Sequence, residues 1–180
     1  MDGLDRERFV HLQATALARE GVRPTFIRSI LRNGITLAEA SRIFRIATNL
    51  SPTERSGRAI RTAALPSLAS DGRIVLYTSM LIDAVEAVSA GCEVTDSLLA
   101  AWRVEMSRRT SNNIPVPIKA RLEDLVILYQ HFEAGEIEIH NCARGCGQRQ
   151  IGLADLRVRS TCLHDCQAGA LAGVRAHLTA

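Results

Sequence analysis

Apolar residues recur every three or four positions through most of the chain up to residue 134, which predicts a mainly α-helical protein. Turns marked by glycine, proline or clusters of polar residues separate the periodic segments. After Gly135 the period changes to two, because apolar and polar residues alternate in EIEIH, and this alternation predicts a short strand. The predicted helices are 5–20, a short helix that opens at Pro24, 36–47, 73–90, 97–109 and 119–134.

The same spacing predicts which side of each helix faces the core. In the first helix the predicted inward stripe consists of Phe9, Leu12, Ala16 and Leu17. In the helix 36–47 the predicted inward residues are Leu37, Ala40, Ile43 and Phe44. Trp102 and Met106 lie four positions apart, as core residues of one helix do. Cys92 stands alone in a turn and is expected to be a small buried hydrophobe.

A helix, a short glycine turn and a capped helix follow one another between Pro24 and residue 47, which is the outline of a helix-turn-helix. Gly34 is the residue of the turn that is able to adopt a left-handed conformation. Thr36 and Glu39 have the T-x-x-E spacing of a capping box at the start of the second helix. A plain pair of helices within a bundle, with a solvated basic face, has the same outline.

The outward face of the second helix carries the candidate base-reading side chains. Ser41, Arg42 and Arg45 are expected to point away from the core and to reach base edges, while Arg28 on the preceding helix is expected to contact phosphate. Residues 21–61 contain eight Arg and two acidic residues, which agrees with a polyanionic partner.

Residues 50–72 interrupt the helical period with two prolines and two glycines. This basic loop contains three further candidate phosphate contacts, which are Arg55, Arg58 and Arg61. An ordinary surface linker has the same composition, so both interpretations stay open.

Four of the five cysteines lie between residues 142 and 166 in the pattern C-x3-C, fifteen residues, C-x3-C. The spacing is close to that of paired zinc knuckles, and four thiolates complete a closed, structural tetrahedral site for one Zn²⁺. No aromatic residue follows Phe132, so the C-terminal segment has too few large apolar side chains to fold by burying them. Metal binding would have to supply the missing stability. The predicted ligands are Cys142, Cys146, Cys162 and Cys166, with His140 and His164 in reserve, and a cluster of unmetallated thiols is the alternative.

The predicted zinc module also carries basic residues, and Arg149, Arg157 and Arg159 are further candidate phosphate contacts. We therefore expect a helical domain with the candidate DNA-binding helices over 1–134 and a zinc-ribbon-like module over 135–180. The N-terminus lacks the pattern of a secretory signal and no run of residues has the length of a membrane span, which indicates a cytoplasmic protein without disulfides. The sequence shows no nucleophile paired with a base and no metal site with an open position, so we do not expect an enzyme.

Four stretches of the sequence resemble the FlhC family, the zinc-containing subunit of the bacterial flagellar master transcriptional activator. They are ITLAEASRIFRIATNLSP, SAGCEVTDSLLAAWRVEM, LVILYQHFEAGEIEIHNCARGCG and STCLHDCQ. The resemblance extends over roughly 20–170 and is most specific at the cysteines. The family has two residues within each cysteine pair, whereas this chain has three, so the chain resembles a divergent member.

The resemblance implies a subunit that binds double-stranded promoter DNA together with FlhD, a small helical partner, in a hetero-oligomer. It further implies activation of flagellar operons, or of a related operon, through recruitment of RNA polymerase. It assigns the zinc to the same four cysteines. The alternative is an adaptor whose zinc ribbon mediates contacts between proteins without binding DNA.

Overall fold

Six helices and one β-hairpin form the part of the chain that the computed structural model describes, which is residues 3–32, 34–49, 73–117, 120–142 and 146–154. The mainly helical prediction is confirmed. The helices are α1 (Gly3–Arg19), α2 (Pro24–Ile30), α3 (Leu37–Thr48), α4 (Arg73–Ser89), α5 (Val94–Ser111) and α6 (Leu122–Glu133). The strands β1 (Ile137–Asn141) and β2 (Arg149–Leu153) pair antiparallel, with Ile139 opposite Ile151.

One hydrophobic core joins these elements. Helix α3 packs on α1 and α2, α4 packs on α5 and α6, and the hairpin packs on α4 and α6. The largest side chains that are fully buried include Leu17, Phe44, Tyr77, Leu98 and Leu125. Ile137 and Ile151 of the hairpin belong to the same cluster, so the start of the predicted zinc module contributes to the helical core.

The predicted inward stripe of α1 is wrong at Leu12, whose side chain is 69% exposed. Leu17 is buried as predicted, and Ala14 and Ala18 are buried beside it. Contacts with α2, α3 and α5 determine which side of α1 faces inward. Leu12 lies on the opposite side of the helix as a result.

The turn between α4 and α5 corrects the prediction for Cys92, whose side chain is exposed rather than buried. The Cys92 amide donates to the carbonyl of Ala87 at 3.0 Å, and Gly91 has a φ of +95°, so the chain leaves α4 in a tight turn on the surface. Trp102 and Met106 pack in or against the core as predicted.

A buried polar cluster joins α4 to α6. The Tyr77 hydroxyl donates to Asp124 Oδ2 at 2.9 Å and accepts from the Arg121 amide at 2.7 Å. The Arg73 guanidinium lies 3.4 Å from the same carboxylate oxygen. Burial raises the pKa of Asp124 from 3.8 to about 6, because the favourable contacts with Tyr77 and Arg73 only partly offset the loss of hydration.

Because the Asp124 carboxyl has the higher pKa in the folded state, that state binds more protons than the unfolded chain between pH 3.8 and about 6. The contribution of Asp124 is therefore greatest below this window and is lost as the pH rises through it, by an amount on the order of 2 kcal/mol. We expect Asp124→Asn to remove this decline in the free energy of unfolding, measured by urea denaturation across the window. Parallel pH profiles for the two proteins would contradict the assignment.

Candidate nucleic-acid interface

Helices α1, α2 and α3 form a three-helix unit in which the inner face of α3 is held in the core. Phe44 and Ala40 are fully buried, and Ile43 is 8% exposed. The predicted inward position of Leu37 is wrong, because this side chain is 42% exposed. Leu37 is the first residue of α3, where no preceding helical turn covers the side chain.

The turn before α3 has a different geometry from the predicted one. Arg32 adopts the left-handed conformation, with φ +51°, and Gly34 does not. A Cβ at Gly34 would lie 3.1 Å from the Leu31 carbonyl oxygen, which is a tight contact within the turn itself, and 3.6 Å from the Val10 side chain of α1, which is an ordinary packing distance. A larger residue at this position would therefore have to displace the Leu31 carbonyl slightly.

The predicted capping box at the start of α3 is present. The Glu39 amide donates to Thr36 Oγ1 at 3.2 Å, and the Thr36 amide donates to Glu39 Oε2 at 3.0 Å. Hydrogen bonds from the Thr36 side chain and amide lower the pKa of Glu39. At the other end of α3, Asn49 has a left-handed φ of +54° and its amide donates to the Arg45 carbonyl. Both ends of α3 are thus fixed by local bonds.

The outer face of α3 presents the predicted reading residues to solvent. Arg42 and Arg45 are exposed and Ser41 is half-buried. Neither arginine forms an ion pair within the described residues, although the charge of Arg42 contributes to lowering the pKa of Glu39. Ile46, which is 76% exposed, and Asn49 extend the same face. Sequence reasoning missed these two, although each lies four positions after a predicted reading arginine.

Polar contacts fix α2 against α6, and thereby position the helix that precedes α3. The Arg23 amide donates to Glu123 Oε1 at 2.6 Å, and Arg23 Nε donates to both oxygens of this carboxylate at 2.9 and 3.1 Å. Glu123 is only 4% exposed. A second contact joins Gln130 Nε2 to the Ser29 hydroxyl at 2.8 Å, and an exposed ion pair joins Arg32 to Glu133 at 3.0 Å.

The remaining candidate phosphate contacts lie in different parts of the molecule. Arg28 is exposed on α2 and forms no ion pair within the described residues. Arg149, on β2, pairs with Glu86 of α4, so its charge is partly neutralised. Arg55, Arg58, Arg61, Arg157 and Arg159 lie outside the described residues.

Two of the four predicted zinc ligands lie between the two strands of the hairpin, at its loop end. Cys142 follows β1 directly, Cys146 precedes β2, and the Cys142 amide donates to the Gln148 carbonyl at 2.8 Å. Gly147, with φ +77°, allows the tight turn after Cys146. Two thiols on one such turn fit half of a four-thiolate zinc site, whereas Cys162, Cys166 and His164 lie outside the described residues.

His140, the other reserve ligand, packs its ring over the opposite strand. A Cβ at Gly152 would lie 2.8 Å from the His140 Cε1 atom, so glycine makes room for the imidazole. The His140 Nδ1 atom is buried and has no hydrogen-bond partner in the described part of the chain. Within that part, no group of three or more His, Cys, Asp or Glu side chains is arranged to hold a metal ion. The zinc site therefore stays a prediction.

Cys146→Ser tests the four-thiolate site. If zinc stabilises the C-terminal segment, the variant should lose bound zinc and most of its solubility together, because three thiolates bind the ion more weakly and folding depends on binding. Zinc content by mass spectrometry, with Cys92→Ser as the matched control for an exposed thiol, measures this effect. A soluble Cys146→Ser protein with full zinc content would contradict the assignment.

None of the helices in the described ranges combines the length and the apolar character that crossing a membrane requires. No protein-family model matches the sequence, and a search of curated proteins finds no match.

Proposed function

We propose that this protein is the DNA-binding subunit of an FlhC-like transcriptional activator and that α3 reads promoter DNA. The observation that carries the proposal is the outer face of α3, where Arg42 and Arg45 are exposed and form no ion pair within the described residues. The opposite face of the same helix is locked in the core by Phe44. A rigid helix with two available guanidinium groups is suited to reading a major groove.

The dimensions and chemistry of α3 support this role. Twelve helical residues span about 18 Å at 1.5 Å each, which is long enough to enter the major groove of B-DNA. Arginine binds the O6 and N7 acceptors of guanine, asparagine binds adenine, and apolar side chains contact the thymine methyl group. Arg42, Arg45, Asn49 and Ile46 supply all three kinds of contact on one face. Arg28 would contact the phosphate backbone beside them.

We further propose that Cys142, Cys146, Cys162 and Cys166 hold one structural Zn²⁺, which would stabilise the C-terminal segment and its basic surface. The activator would act in the cytoplasm with an FlhD-like helical partner and RNA polymerase, on flagellar or related operons, and without enzymatic activity. Leu4 and Leu12, which are 72% and 69% exposed on α1, support a protein-binding surface.

Arg45→Ala tests the role of α3 most specifically. If Arg45 contacts a base, the variant should reduce the free-energy difference between binding to the operator and binding to random DNA by about 1–3 kcal/mol. Fluorescence anisotropy with both DNAs measures this difference. Arg19→Ala, which removes an exposed arginine from α1, is the matched control and should leave it unchanged. Equal losses on both DNAs for Arg45→Ala would make Arg45 a phosphate contact instead.

A further inference from the structure

A negatively charged side chain lies one helical turn before the first candidate reading arginine. Glu39 and Arg42 are three positions apart on α3, so their side chains lie on neighbouring parts of the helix surface. Opposite charges at this spacing attract each other and stabilise isolated helices as ion pairs. Such a pair would occupy the guanidinium group that is needed to contact a base edge. Glu39 is therefore a potential competitor with DNA for Arg42.

The capping box holds the Glu39 carboxylate against Thr36 instead of Arg42. Glu39 Oε2 accepts a hydrogen bond from Thr36 Oγ1 at 2.7 Å and another from the Thr36 amide at 3.0 Å. These two bonds are the main causes of the lowered pKa of Glu39, and the charge of Arg42 makes only a smaller contribution to it. Within the part of the chain that the structure describes, no ion pair joins Glu39 to Arg42.

The second candidate reading arginine has no such competitor. Ser41 and Arg42 lie four and three positions before Arg45, and Thr48 and Asn49 lie three and four positions after it. None of these residues is acidic. Arg45 therefore serves as an internal reference for Arg42, since the two arginines lie on the same helix and only Arg42 has a carboxylate at pairing distance in the sequence.

We propose that Thr36 is a positioning residue for DNA reading by α3. Its side chain holds the Glu39 carboxylate in the capping box, and the Arg42 guanidinium stays available to a base edge as a result. When the Thr36 hydroxyl is removed, the Glu39 carboxylate accepts hydrogen bonds from Arg42, and Arg42 contributes less to sequence discrimination. The inference rests on the proposed function of α3, and it gives the capping box a role beyond satisfying the first amides of the helix.

Two variants separate this role from the stability of the helix. Thr36→Ala removes the hydroxyl that bonds to Glu39, and the double variant Thr36→Ala/Glu39→Gln also removes the charge that pairs with Arg42. Both variants lack the cap, so they share any loss of helix stability. Glu39→Gln alone is the control, because glutamine also completes a capping box.

The readout is the ratio of affinities for the DNA upstream of the protein's own gene and for random DNA of the same length. Fluorescence anisotropy measures both at about pH 8, where histidine side chains are ordinarily neutral, because His11 also lies near Glu39. We expect Thr36→Ala to reduce the ratio on the order of fivefold, which is the lower end of what one arginine–guanine contact supplies. The double variant and Glu39→Gln should retain the ratio of the unmodified protein to within about twofold.

The Arg42 Nε–H signal in NMR spectra of the isotope-labelled full chain tests the pairing without DNA. Its exchange with water should be as fast as that of Arg45 in the unmodified protein, slower in Thr36→Ala, and fast again in the double variant. A loss of discrimination that persists in the double variant would overturn the inference, because fraying of α3 would then explain it. Unchanged Arg42 exchange in Thr36→Ala would overturn it as well, even if the unmodified protein shows no preference for the upstream DNA and the proposed function itself fails.

Discussion

Phe44→Ala is expected to destabilise the protein by about 3–5 kcal/mol, because truncating a fully buried aromatic side chain removes apolar contact and leaves a cavity. Phe44 belongs to α3, which packs on both α1 and α2. The substitution therefore removes packing contacts at the centre of the three-helix unit. Urea denaturation of the full chain measures the change.

Ile46→Ala is the matched control for Phe44→Ala. Ile46 lies two residues further along the same helix and is 76% exposed. Its truncation should change the free energy of unfolding by less than about 0.5 kcal/mol. If Ile46 contacts a thymine methyl group, the same variant should weaken operator binding, whereas Phe44→Ala acts through folding. Similar destabilisation by the two variants would show that the assigned inner and outer faces of α3 are wrong.

Glu123→Ala should destabilise the protein by about 3 kcal/mol, because it leaves the partly buried Arg23 guanidinium and the Arg23 amide without their acceptor. The pair is the main polar contact between α2 and α6, so its loss loosens the helix that precedes the α3 turn. Urea denaturation gives the magnitude. Amide hydrogen exchange should show faster opening of α2 than in the unmodified protein.

Glu133→Ala serves as the control for that loss, since it removes the exposed ion pair between α6 and Arg32. Exposed pairs contribute about 0–1 kcal/mol, so this variant should be nearly as stable as the unmodified protein. Equal effects of the two substitutions would mean that burial of Glu123 does not determine the strength of the α2–α6 contact.

Features set by neighbouring residues were predictable from the sequence. The capping box of Thr36 and Glu39, the buried positions of Ala40, Ile43 and Phe44, and the strand EIEIH follow from local spacing and local hydrogen bonds. The exposed positions of Arg42 and Arg45 follow from the same helical period. The positions of Arg42 and Arg45 on the proposed reading face were therefore predictable from the sequence alone.

Features set by distant parts of the chain were not predictable in this way. Leu12 is exposed because the contacts of α1 with α2, α3 and α5 bury the side of α1 that contains Ala14, Leu17 and Ala18. Arg23 forms hydrogen bonds with Glu123, which lies 100 positions later in the sequence, and no local sequence pattern indicates that pairing. The left-handed residue of the turn is Arg32 rather than Gly34, and the local sequence does not show which of the two adopts this conformation.

Promoter binding is tested most directly by titrating this protein with the DNA upstream of its own gene and of flagellar operons across a salt series. The titration is carried out with and without a candidate small helical partner. We expect sequence-selective binding that requires the partner and weakens steeply with salt, because arginines displace counterions from phosphate. Absent or salt-insensitive binding by a folded, zinc-loaded protein would contradict it and would favour an adaptor that contacts only other proteins.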